Sequence, residues 1–321
     1  MKVAKLSVRK RVFLVVGTVI SVMWVGYIFA DREQIVLSDA VREEFGGDYV
    51  KLPCGVTHYE RLGDNAAPMV VLLHGSTLSI WDFDLQVETL LNAGFQILRY
   101  DALGRGLSDR PDVDYTRDLY VTQLLQVLDA LEINEQVILL GHSLGGAIAM
   151  EFTSRFPSKV RGVALLSPVI NSVHSTPPFV ICNTPIIGDF LLRVAMLEVL
   201  RVRANGQWAG VGVNVEKYDR LFRRQASIEG FEHAVCSMFR TDLVGDYRAT
   251  FRKVGKQNIP GLIVYGEDDP VIWSSDVEAL RPQLKSFSFE KIQGGKHSTH
   301  VQNRSAFDRI LLTFLNSISA R

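Results

Sequence analysis

Five short apolar runs constrain the fold of this chain more than any other feature: MVVLLH (69–74), QILRYD (96–101), QVILLG (136–141), GVALLS (162–167) and GLIVYG (261–266). Each is continuous, rich in Val, Ile or Leu, and bounded by polar residues or glycine, the pattern of a strand buried on both faces. Amphipathic stretches lie between them. Over 116–132, Val121, Leu124, Leu125, Leu128 and Leu131 recur at three- and four-residue steps, which puts them on one helical face. Strand and helix in alternation predict a mostly parallel, doubly wound α/β sheet with helices on both sides. A chain of 321 residues, 47% of them hydrophobic, can build one large core with an insertion.

The alternation stops over 168–255. That stretch holds Pro177, Pro178 and Pro185, then arginine-rich helical segments with aromatics (191–203, 218–224, 231–239), and it reads as a helical cap inserted between two strands. The predicted division is therefore a basic flank and anchor (1–30), a polar linker and entry segment (31–55), the first part of the core (56–167), the cap (168–255) and the second part of the core (256–321). The cap contains Phe179, Ile186 and Phe190, apolar residues expected to line part of a substrate pocket or to form the cap's own core.

At the N-terminus, Lys2, Lys5, Arg9, Lys10 and Arg11 precede residues 12–30, which carry no ionisable side chain except Tyr27. At about 1.5 Å per residue this segment crosses most of a hydrocarbon core of about 30 Å. A cleaved leader would need small residues before its cut, and Ile28 and Phe29 before Ala30 make a poor site. The segment is read as an uncleaved transmembrane anchor, its basic flank cytoplasmic and the rest of the chain extracytoplasmic. Lys plus Arg balances Asp plus Glu at 35 each, so no nucleic-acid partner is expected, and oligomeric state is left open. Three cysteines, Cys54, Cys182 and Cys236, are too few for a disulfide framework; they read as buried thiols, with Cys182 and Cys236 the one plausible bridge in an oxidising compartment.

The run LLGHSLGG (139–146) sets Ser143 between an apolar strand and a helical pattern. A nucleophile on such a turn needs strained backbone, and glycines at Gly141 and Gly145 let strand and helix approach closely enough to expose its hydroxyl. The helix beginning behind Ser143 offers N–H groups and a positive dipole end to a developing oxyanion. A strand-to-helix turn with a merely capping serine is the plainer alternative.

With that context the chain resembles the α/β-hydrolase superfamily, in its lidded esterase, lipase and carbon–carbon hydrolase branch, from about Val56 onward. Three motifs match in chain order: LLHGST (72–77), YDALGRGLSDRP (100–111) and VYGEDDPV (264–271). The resemblance implies a nucleophile elbow at Gly141, His142, Ser143 and Gly145. It also implies an oxyanion hole from the backbone N–H groups of Ser76 and Leu144, and structural roles for Asp101, Arg105 and Asp109. The triad acid falls on Asp269, three residues after Gly266, with Asp268 as its neighbour and rival. A carboxylate there holds the base in one tautomer and stabilises its cation.

The base comes from GGKHSTH (294–300), whose two histidines, read alone, could be a metal pair, a base with a neighbour, or loop residues. The family pattern selects His297, although Lys296 stands where many relatives carry glycine. No third ligand with suitable spacing supports a metal at His297 and His300. His58, His74 and His142 are read as supporting residues, and no cofactor is implied. The expected reaction is hydrolysis of a small-molecule carboxylic ester, such as a monoacylglycerol, through an acyl-enzyme. Carbon–carbon or lactone hydrolysis, acyl transfer, perhydrolysis and low-turnover ligand binding use the same constellation, and fold analogy does not choose among them.

Overall fold

The computed structural model describes residues 7–172, 177–184 and 187–319. Its centre is an eight-stranded sheet in the order β1-β2-β4-β3-β5-β6-β7-β8, formed by β1 (Asp48–Leu52), β2 (Gly55–Leu62), β3 (Met69–Leu73), β4 (Gln96–Tyr100), β5 (Val137–His142), β6 (Val160–Leu166), β7 (Gly261–Gly266) and β8 (Phe287–Ile292). Strands β3 to β8 run parallel; β1 and β2 are antiparallel additions at one edge. The five apolar runs are β3 to β7, and every residue of β3, β4, β5 and β7 is buried. Two hydrophobic layers cover the sheet. One packs Val71, Leu139 and Val163 against Leu124, Ile148 and Phe152; the other packs Val70, Ile138 and Val264 against Phe307, Leu311 and Leu315.

The helix predicted over 116–132 is Arg117–Ala130, with Thr116 capping it by accepting from Leu119 N. The segment expected as a linker is more structured than that. It holds the helix Asp39–Phe45 and β1, and Gln34 and Ile35 donate their backbone N–H groups to Ser227 O at 2.8 and 2.9 Å. The partner of Gln34 and Ile35 lies nearly two hundred residues away, so the polar composition of the segment hid that pairing. Between β6 and β7 the described residues contain helices and no strand, as the sequence suggests, among them Leu197–Gly206, Val215–Ala226 and Phe231–Arg240.

The leading reading of the cysteines needs correction: Cys182 and Cys236 form a disulfide inside the cap, with Cα atoms 5.0 Å apart, and Cys54 is free. The N-terminal helix Val8–Phe29 includes a 21-residue stretch of mean hydropathy 2.3, long and apolar enough to cross a membrane. It touches the cap at its end, where Tyr27 stacks on Phe190 with centroids 6.4 Å apart and lies under the Arg193 guanidinium at 4.1 Å.

Candidate active site

The carboxyl ends of the parallel strands β3, β5 and β7 and the loop after β8 converge on one point. Ser143 leaves β5 and caps the helix Leu144–Arg155 with φ 53° and ψ −113°, a left-handed backbone rare for a non-glycine residue and worth about 1–3 kcal/mol of strain. Surrounding bonds hold it there: Ser143 N donates to Leu166 O at 2.9 Å, and Ser143 O accepts from Val169 N at 3.0 Å. The flanking glycines are sterically required. A Cβ on Gly145 would lie 2.0 Å from Leu73 O, and one on Gly141 2.4 Å from Gly145 O. Among the described residues the Ser143 hydroxyl has no hydrogen-bond partner, so it is free for a substrate.

The backbone N–H groups of Ser76 and Leu144 likewise donate to no acceptor among the described residues. Both residues line a small cavity of about 20 Å³ together with Leu73, Gly75, Arg105 and Ile148. The Ser76 carbonyl is held from the other side by Arg105 Nε. Arg105 is fully buried and, like Asp101, holds loops together: Asp101 accepts from His58 Nδ1, Ile80 N and Leu107 N, each at 2.8 Å. Asp109 does the same for Val56 N at 2.7 Å.

His297 lies in the loop after β8 and directs Nδ1 to Asp269 at 2.9 and 3.2 Å. Asp269 is buried and also accepts from Val271 N and Ile272 N at 2.8 and 3.0 Å, whereas Asp268 is exposed. Burial alone would raise the Asp269 pKa, but the His297 hydrogen bond and those two N–H groups bring it below the ordinary carboxylate value. Burial and the nearby His142 lower the pKa of His297 against the opposing pull of Asp269, which leaves a neutral imidazole at neutral pH. A neutral ring fixed through Nδ1 presents Nε2 as a proton acceptor.

Sequence reasoning missed one residue of this site. Asp82, fully buried in the short helix Ile80–Phe83, accepts from His142 Nδ1 at 2.8 Å, His300 Nε2 at 3.2 Å and Gly75 N at 3.0 Å. It carries no local signature, being one of two aspartates in an aromatic stretch (IWDFD) with partners spread along the chain. Asp82, His142 and His300 are also the group of side chains among the described residues whose ligand atoms, all within 4.8 Å of one another, could hold a metal. Hydrogen bonds to Asp82 engage His142 Nδ1 and His300 Nε2, whereas His142 Nε2 and His300 Nδ1 are buried with no partner among the described residues. Of the expected pocket residues, Phe190 lies against Tyr27, Ile186 falls outside the described residues, and so does the side chain of Phe179.

A serine on a strained strand-to-helix turn at the end of a central parallel strand, followed by an aspartate and a histidine after later strands, is the arrangement of hydrolases built on a doubly wound sheet. The chain belongs to the alpha/beta hydrolase family, whose model matches residues 70–309. It is 39% identical over 267 residues to a 2-hydroxymuconate semialdehyde hydrolase of Pseudomonas sp. (strain CF600), covering 78% of this chain and 88% of that one. It is 24% identical over 270 residues to a serine hydrolase of Mus musculus, covering 80% and 82%. Among solved structures, the enol-lactonase of Burkholderia xenovorans LB400 superposes with a TM-score of 0.70 at 20% identity, over 84% of this chain and all of that one (100%). The protein is a hydrolase.

Proposed function

We propose that the protein is a membrane-anchored serine hydrolase that cleaves a small-molecule carboxylic ester, with Ser143 as nucleophile, His297 as base and Asp269 as the acid that orients it. The observation that carries this reading is the strained Ser143, whose hydroxyl has no partner among the described residues, together with two backbone N–H groups that have no acceptor there and a His297–Asp269 pair whose imidazole lies 5.0 Å from the ring of His142, the residue before Ser143. His297 takes the Ser143 proton as the hydroxyl attacks the carbonyl, and the Ser76 and Leu144 N–H groups bind the oxyanion. His297 then protonates the leaving alcohol and activates a water that releases the acyl group.

The helix Val8–Phe29 is read as the anchor, with the catalytic part extracytoplasmic. The basic residues before it and the Cys182–Cys236 bond in the cap both support that side, since such bonds persist in oxidising compartments. The anchor's end contacts the cap at Phe190 and Arg193, which favours a lipid-derived ester such as a monoacylglycerol as substrate. The test is hydrolysis of p-nitrophenyl esters from acetate to palmitate by the full chain in detergent, beside Ser143→Ala and His297→Ala. Both variants should lose about 10³-fold or more in kcat; variants that keep the parental rate would overturn the assignment. Carbon–carbon hydrolysis is the second reading, favoured by the 39% identity to the semialdehyde hydrolase, and 2-hydroxymuconate semialdehyde offered to the same preparation distinguishes it.

A further inference from the structure

We propose that Asp82 is a positioning residue of this reaction, a single buried carboxylate that locks the oxyanion turn, the residue before the nucleophile and the loop carrying the base into one register. The inference rests on the triad reading above. Asp82 Oδ2 accepts from Gly75 N, next to the oxyanion donor Ser76, and from His142 Nδ1, next to Ser143. Its Oδ1 and its backbone oxygen accept from His300 Nε2, at 3.2 and 2.9 Å, three residues beyond His297. These partners stand 7, 60 and 218 residues away in the chain, so no local element could hold them in register.

All three side chains are buried, with Asp82 and His300 at 0% exposure and His142 at 1%. A buried carboxylate between two imidazoles is a poor way to gain stability, since apolar packing of equal volume generally does as well or better. Its worth lies in directional bonds, because two oxygens dictate where three loops sit to within a fraction of an ångström. The cluster also reaches the base. The His142 ring lies 5.0 Å from that of His297 and 4.7 Å from that of His300.

Burial disfavours the His142 cation, but the Asp82 carboxylate outweighs it and raises the His142 pKa, whereas burial keeps His300 low. The groups acting on His297 are then Asp269 from the loop after β7, His142 from the end of β5, and Arg203 from the cap helix Leu197–Gly206. Those acting on His142 are Asp82, Asp269, His297 and His300. Proton uptake by His142 opposes protonation of His297, so the two titrations are linked.

The test is the rate at which a fluorophosphonate probe labels Ser143, measured against pH in the full chain in detergent, for the parent, Asp82→Asn and His142→Asn. Asp82→Asn should keep a cooperative melt, lower the plateau rate on the order of 10- to 100-fold as the loops lose register, and move the acid limb to higher pH because His142 loses the anion that raises its pKa. His142→Asn keeps a donor for Asp82 but removes the titrating imidazole. It should move the acid limb the same way with a smaller plateau loss, and it decides the matter if Asp82→Asn does not fold. Folded variants with the parental plateau and acid limb would overturn the proposal while leaving the triad reading intact. A parent whose Ser143 is not labelled would sink the triad reading and this inference with it.

Discussion

The Cys182–Cys236 bond allows a prediction whose size can be worked from the chain. The two cysteines are 54 residues apart and join the helix Pro177–Cys182 to Phe231–Arg240, so the bond closes most of the cap into one loop. Loop-closure entropy for that separation is worth about 4 kcal/mol at 25 °C. Both sulfurs are buried where cap residues such as Leu192 and Phe231 continue the apolar layer on one face of the sheet, and the bond itself ties two cap helices, so the effect should fall first on opening of the cap. Reduction should raise the population of the opened cap by up to about 10³-fold. The assay is limited proteolysis of the full chain in detergent, oxidised and reduced, with cleavage sites mapped by mass spectrometry. Reduced parent is the proper reference, because it keeps both sulfur atoms in place; a Cys182→Ala/Cys236→Ala double variant adds packing loss to the missing bond. Cap cleavage that accelerates by less than about tenfold on reduction would refute the entropy argument, and cleavage appearing first within β3 to β7 would refute its assignment to the cap.

Three further outcomes follow from the geometry. Gly145→Ala sets a Cβ 2.0 Å from Leu73 O, so strand and helix must separate: thermal denaturation should show a loss of about 1–3 kcal/mol, and probe labelling of Ser143 should nearly vanish. The pKa of His297 lies below the ordinary imidazole value, so the neutral base persists to lower pH; the acid limb of kcat/KM should fall below the pKa of free histidine, and Asp269→Asn, which removes the anion favouring the cation, should lower it further while reducing kcat severely. Glu232, buried near Glu33 and Asp31 and bonded to Arg193, has its pKa pushed by burial to about 7. A carboxyl whose folded pKa is raised adds stability that is complete below its ordinary value of 4.5 and is lost as pH rises through about 7. Between pH 5 and pH 8 the parent should therefore lose on the order of 2–3 kcal/mol of stability that Glu232→Gln does not lose, as read by the Tm difference of each protein in the two buffers.

What the sequence disclosed and what it withheld divide along a physical line. Strands β3 to β7 were legible because a strand covered on both faces must be apolar throughout, and the elbow because close approach of strand and helix tolerates nothing larger than glycine at positions 141 and 145. Each of those constraints acts on neighbouring residues and leaves a local trace. Asp82 leaves none, since its requirement is to meet donors 7, 60 and 218 residues distant, and the sequence records those only as scattered polar residues. The polar stretch 31–55 was misread for the same reason. Glu33 accepts from Gly230 N and Glu232 N, and Ile35 pairs with Ile228, so a segment that looks solvated is an edge of the cap. These bonds begin within six residues of the end of Val8–Phe29, close enough that any bilayer holding that helix also holds the cap beside its surface. Cap opening and the placement of the apolar helix Val8–Phe29 then share one small set of contacts around Arg193, Glu232 and Tyr27, and a change in either should be felt by the other.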